Sequence, residues 1–309
     1  MKRTPVPLAK AVLRKFGARP WVGWLDRPWM DASWVLSGPT NQWSIRVFAQ
    51  RRSGHHAIIN WLRQQIPGRH CFLNDCQVGV NPFEGARRNS VVRCWAGDHR
   101  YINWTGEIRG RHAKKGTLIH NYEDGNIHQY SETITCEQET AWIGESTRKS
   151  TILVLRDPYN LFASRLKWIL GLGGKPATED LESFRSLWKL YAREVLGITQ
   201  WLGTAIHVRY NDWFRSGIYR DEVARQIGFV NGDIGINEIA RWGPALIGLA
   251  TSFDGFNYEG KAQQMKVLER WKEFAEYPLF RSLVEDEELV DLSARLFGEI
   301  EGVNEAVAY

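Results

Sequence analysis

The chain has 309 residues, 43% of them hydrophobic and 24% charged, which suits a folded domain with a sizeable core and excludes a disordered or fibrous protein. No apolar run approaches the ~18 residues needed to span a bilayer; the longest, residues 243–250, is far too short. The balance of 40 Lys+Arg against 35 Asp+Glu, net +5, is mildly basic and suits an anionic small ligand, nucleic acid or an acidic surface.

The first 42 residues read as an extension: five prolines (Pro5, Pro7, Pro20, Pro28, Pro39) break any long helix there. Four of the 15 Trp, at 21, 24, 29 and 34, lie in it, and Trp43 follows. Such indoles either form an aromatic surface for a sugar, lipid or partner, or pack on the core. Residues 43–309 are expected to form one α/β domain. Although Lys2, Arg3, Lys10, Arg14 and Lys15 make the start basic, no continuous apolar stretch of a secretory signal follows. The four cysteines (Cys71, Cys76, Cys94, Cys136) have no disulfide-scaffold spacing. A soluble protein of the reducing cytoplasm is the expectation.

Residues 44–50 read as a β-branched strand, 51–56 as a polar loop, and 57–66 as a helix stopped by Pro67-Gly68. Residues 70–75 and 117–120 read as short strands, and Thr151-Ile152-Leu153-Val154-Leu155 as a strand buried in a parallel sheet. Helices are expected at 160–170, 181–202 and 219–227, with a strand at 205–210. One last helix is expected over about 278–300, with Leu289, Leu292, Leu296 and Phe297 on one face. Residues 77–115 give no clear element. Alternating strands and helices predict a three-layer α/β/α fold around a mainly parallel sheet.

Two loops carry the chemistry. In Arg51-Arg52-Ser53-Gly54-His55-His56-Ala57, a strand runs into a helix N-terminus, whose free N–H groups and dipole attract an anion. Gly54 admits close backbone approach, while Arg52, Ser53 and the two imidazoles add donors. In Arg156-Asp157-Pro158, Arg156 ends the buried strand, at the edge where open α/β sheets bind ligands, and Ser164 lies two turns into the next helix. Taken singly, each has a plain alternative: a solvated basic loop, and an ordinary helix start. A Walker A loop is absent, since Gly173-Gly174-Lys175-Pro176 lacks the hydroxyl after the lysine.

Together, in this order and about 100 residues apart, the two loops resemble the sulfotransferases that use 3′-phosphoadenosine 5′-phosphosulfate (PAPS) and release PAP. The resemblance implies that Arg51, Arg52, Ser53, Gly54, His55, His56 and Ala57 hold the 5′-phosphosulfate in a P-loop-like turn. It implies that Arg156 and Ser164 hold the 3′-phosphate. Tyr210, in Arg209-Tyr210-Asn211-Asp212, and Thr251 and Phe253, in Thr251-Ser252-Phe253, are similar to segments that border the adenine. Arg270-Trp271-Lys272-Glu273-Phe274 resembles the closing C-terminal stretch. The chain departs from the family at His55-His56, where two threonines are usual, and at Ala57, where an aromatic often stacks on the base. The Arg-Lys-Gly expected before the Trp-Lys stretch is not recognisable.

The reaction implied is in-line sulfuryl transfer from PAPS to a hydroxyl or amine of a carbohydrate, lipid or small molecule, with Arg52 stabilising the leaving phosphate. Its proton acceptor is sought in Thr117-Leu118-Ile119-His120-Asn121-Tyr122-Glu123. His120 titrates near neutrality when unperturbed, Glu123 is the second candidate, and Asp75 the third. No zinc spacing and no HExxH occurs, so no metal is expected. The alternatives are a P-loop kinase-like enzyme, a nucleic-acid or interaction module using Arg87-Arg88 and Arg109-Gly110-Arg111, and a binding-only relative of the sulfotransferases. Acceptor and oligomeric state are not legible.

Overall fold

The computed structural model describes residues 38–88, 103–171, 173–239, 241–242, 249–250, 255–300 and 302–303. The expected N-terminal extension (up to residue 37), Thr251 and Phe253 lie outside them. Five strands form one sheet: β1 (Asn41–Ala49), β2 (His70–Leu73), β3 (Lys115–Glu123), β4 (Ser146–Leu155) and β5 (Ile206–Arg209), in the order β2-β3-β1-β4-β5. Every pairing in it is parallel. The central strand β1 is buried on both faces, with Ile45, Val47, Phe48 and Ala49 supplying its apolar part.

Alternation along the strands divides the apolar side chains between two cores. Ile45, Val47 and Ala49 of β1, Ile119 of β3 and Val154 of β4 pack against α1 (His55–Gln65). On the opposite face, Phe48, Leu118, Tyr122, Leu153 and Leu155 pack against helices that follow β2 in the chain. These begin with α2 (Pro82–Arg88), α3 (Trp104–Ile108), α4 (Ile127–Thr133), α5 (Cys136–Ile143), α6 (Pro158–Gly171) and α7 (Thr178–Val195). Then α8 (Tyr210–Arg215) and α9 (Gly217–Ile227) return to the first face. A two-residue antiparallel pair, β6 (Arg241–Trp242) and β7 (Leu249–Ala250), precedes the C-terminal helices α10 (Pro278–Val284) and α11 (Glu287–Phe297). Because α1 and α6 leave neighbouring strands β1 and β4 toward opposite faces, a crevice opens between their first turns. That is where α/β sheets bind ligands.

Several elements differ from the sequence expectation. The last helix is two: Asp286 turns out of helical geometry and caps α11 by accepting the Leu289 N–H at 2.9 Å. β3 runs on to Glu123 because Tyr122 and Glu123 stay in register with Phe48 and Ala49. α7 stops at Val195, where the Glu194 carboxylate takes the N–H groups of Trp201 and Leu202 and Gly197 follows with φ 71°. Between β3 and β4 the chain forms α4 and α5, capped by Asn126 and Thr135. Among the described residues, no helix is long and apolar enough to cross a membrane.

Candidate functional site

The turn after β1 is closed by Ser53 N–H donating to Gln50 C=O at 3.1 Å, and Gly54, at φ 86°, starts α1. Only glycine fits there: a Cβ would run into the Tyr210 ring, and the left-handed backbone disfavours any side chain. Non-glycine residues with positive φ also gather at this edge. Arg52 (74°), Asp75 (54°) and Asp124 (56°) follow β1, β2 and β3 respectively. Strain of this kind, costing about 1–3 kcal/mol per residue, concentrates where a site is held in a fixed geometry.

On one side of the turn lies a cationic cavity. Arg52, Arg156 and Arg270 all line it, with Gly54, Ala57, Ser164 and Tyr210. Arg52 Nε faces Ser164 Oγ at 3.4 Å. Arg156 donates to the Arg52 carbonyl at 2.9 Å and to the Val267 carbonyl, and its guanidinium stands 5.3 Å from the Tyr210 ring centre. Burial first, then Arg156 and Arg270, push Arg52 down to about 10. Burial, with help from Arg270, likewise lowers Arg156 despite Tyr210 and Asp157. Guanidiniums that depress one another mark a place whose electrostatics favour a bound anion.

On the other side, carboxylates and imidazoles converge. Arg51 turns away from the cavity to bind Asp75 at 2.7 Å and Glu123 at 3.1 Å. Burial works against its charge, but Asp75 and Glu123 outweigh it and raise its pKa. Asp124 takes a two-pronged bond from Arg165 at 2.8 and 2.7 Å. Glu123 Oε1 lies 3.2 Å from Nε2 of both His55 and His56 and accepts the Asn74 amide at 2.9 Å. Burial alone would raise the Glu123 carboxyl; His55 and His56 outweigh it and hold it well below the usual carboxylate range. His56 is lowered to about 4 by burial and by His55, and is neutral near pH 7. Ser53 is buried under the turn with its hydroxyl 3.3 Å from His55 Nδ1.

The structure thus brings Arg52, Gly54, His55, His56, Ala57, Arg156, Ser164 and Tyr210 to one cavity. His120 is not brought there. It sits three residues before the end of β3, so its side chain projects to the face opposite that of Glu123. It is fully buried, with Nε2 3.2 Å from Ser44 Oγ, and burial lowers it to about 4. Asp75 is linked to the site through Arg51.

Sequence reasoning marked Arg270 only as part of a closing C-terminal stretch and passed over Trp213 and Phe214. Arg270 reaches the cavity from a 3₁₀ segment (Val267–Glu273), and Trp213 and Phe214 of α8 line its apolar end beside Ala57. The 3₁₀ segment is held by Asn160, whose side-chain oxygen accepts Arg270 N–H at 2.8 Å while its amide donates to Leu268 C=O at 3.1 Å. Asp157 in turn orients Asn160 (2.8 Å to its N–H) and Asn211 (2.9 Å). An Asp three residues before an Asn at a helix start was the available signal.

In comparisons with known proteins, no family model matches the sequence, and no curated protein matches it. The structure is similar to one titled "Sulfotransferase Domain from the Curacin Biosynthetic Pathway", with a TM-score of 0.46 and 12% sequence identity, covering 83% of this chain and 98% of that one.

Proposed function

We propose that this protein is a sulfotransferase that moves the sulfuryl group of PAPS to a hydroxyl or amine of a small-molecule, carbohydrate or lipid acceptor. The observation that carries the reading is the meeting of Arg52, Arg156 and Arg270 in one buried cavity at the crevice between β1 and β4. A nucleotide with phosphates at both ends of its ribose suits cations supplied by two loops and a third segment. The two loops also carry the sulfotransferase-like sequence motifs.

PAPS supplies an activated sulfuryl group on its 5′-phosphate; the remaining steps fall to the chain. Arg52, with the N–H groups of the α1 first turn, faces the 5′ end and neutralises charge growing on the leaving phosphate. Arg156, Ser164 and Arg270 take the 3′-phosphate. Tyr210, Trp213 and Phe214 form the apolar end that receives the base, in place of the aromatic missing at Ala57. The acceptor proton passes to the carboxylate–imidazole group of Glu123 and its two histidines, the titratable group beside the turn. As the acceptor oxygen or nitrogen bonds to sulfur, the sulfur–oxygen bond to the 5′-phosphate breaks and PAP leaves. A cytoplasmic setting accords with free cysteines at 71, 76 and 136.

Calorimetry with PAP, 5′-AMP, ADP and ATP plus magnesium tests the reading. PAP is expected to bind best, and Arg156→Ala to weaken it by ~2 kcal/mol, about 30-fold, the scale for losing a charge-assisted contact. A preference for ATP with magnesium would replace this reading with a kinase-like one. Binding of no nucleotide would leave an interaction module.

A further inference from the structure

We infer that His55, His56 and Glu123 form a binding site for a divalent transition-metal ion of the zinc class. One carboxylate oxygen is overcommitted. Glu123 Oε1 is approached by three nitrogens: Nε2 of His55 at 3.2 Å, Nε2 of His56 at 3.2 Å and Nδ2 of Asn74 at 2.9 Å. A carboxylate oxygen has two lone pairs, so hydrogen bonds satisfy two of these approaches and leave the third as a crowded contact. An ion resolves the count. It takes one lone pair of Oε1 and the lone pair of each imidazole, and leaves the second lone pair of Oε1 to Asn74.

The spacing agrees. The three ligand atoms lie within 4.8 Å of one another. The two 3.2 Å separations match the ~3.3 Å edge of a tetrahedron built on metal–ligand bonds of ~2.0–2.1 Å. Two imidazoles and one carboxylate are a donor set that zinc-class ions favour over calcium or magnesium. Outer contacts of the kind such ligands take are present at His55 and Glu123. Ser53 Oγ lies 3.3 Å from His55 Nδ1, the ring nitrogen facing away from Glu123, and Arg51 Nε donates to Glu123 Oε2 at 3.1 Å. Asp75, Glu123 and Asp124 stand here against Arg51, Arg165 and Arg52, whose charge reaches Glu123 and His56, so an ion would enter a cluster of balanced charge; Arg156 and Arg270 line the adjoining cavity. Both histidines line that cavity.

The inference does not depend on the sulfotransferase reading, although the two meet in one consequence. Ion and proton compete for the same lone pairs, so a loaded site withholds the proton acceptor from the transfer reaction. The test is a cobalt(II) titration of the full-length, tag-free, chelator-treated protein, followed by visible absorption, with PAP binding measured separately. One equivalent of cobalt with a visible band of low-coordinate cobalt(II) is expected, displaced by zinc. Glu123→Gln and His56→Gln should each weaken binding at least ~100-fold, and the surface variant His128→Gln should leave it unchanged. Absence of the band in wild type, or a band that survives in Glu123→Gln, overturns the site. Because either variant can perturb the turn, cobalt-dependent elevation of the wild-type melting temperature is measured as well; no elevation also counts against it. Loss of PAP binding with the band intact strikes the sulfotransferase reading alone.

Discussion

Two side chains show how placement along a strand or a turn decides what a residue can do. Gly54 combines φ 86° with a Cβ position occupied by Tyr210, so Gly54→Ala must shift either the turn or the ring. Thermal unfolding should report a loss of about 1–3 kcal/mol, and PAP affinity should fall with it; an unchanged melting temperature would contradict the geometry. His120 illustrates the opposite case, a titratable group removed from chemistry. Its folded pKa of about 4 lies below the unfolded value of 6.5, through burial. The unfolded chain therefore binds more protons between those two pH values. Stability should be complete above pH 6.5 and decline as pH falls toward 4, with at most about 1.4 kcal/mol per pH unit from this residue. Urea unfolding across that range in wild type and His120→Gln should show the slope reduced in the variant.

The split between α10 and α11 depends on a cap. Asp286 accepts the Leu289 N–H and pairs with Lys189 at 3.0 Å, so Asp286→Ala should cost about 1 kcal/mol, measured by chemical denaturation. That break was not legible, because the leucine stripe continues through it and periodicity alone predicts one helix. The strands were easier. β4 ends in a compact apolar run (Ile152–Leu155) of the kind that parallel sheets bury, and the β-branched run of β1 leads into a Gly-containing basic loop. Legibility of the site follows the same division. Local signals placed Arg52, Gly54, His55, His56 and Arg156 on loops next to strand ends and Ser164 in the helix after the second, and these residues line the cavity. Trp213 arrives by long-range packing, which leaves no mark at its own position, and Arg270 was marked only as part of a closing stretch, its place in the cavity being set by the same long-range packing. Between His120 and Glu123, pattern alone did not choose. The true end of β3 lies three residues beyond the one expected, and a period of two then sends the two side chains to opposite faces.

The crevice joins two cores on opposite faces of the sheet, with cations on one side of the turn and a carboxylate–imidazole group on the other. A ligand seated in it contacts elements from both halves of the chain. PAP at 100 times its dissociation constant should therefore add about 2.7 kcal/mol to the stability of the entire domain in one transition; a shift confined to an early partial transition would show instead that the halves unfold separately. Arg156 gives this a temporal side. One guanidinium bonds the carbonyls of Arg52 and Val267, positions about 215 residues apart along the chain. Such a distant pair closes late, after the sheet is assembled, because the entropy of the intervening loop must first be overcome. A nascent or truncated chain ending before Val267 would display both sequence motifs and still lack the three-arginine cavity. That cavity is complete only when the last part of the domain has folded back onto the first.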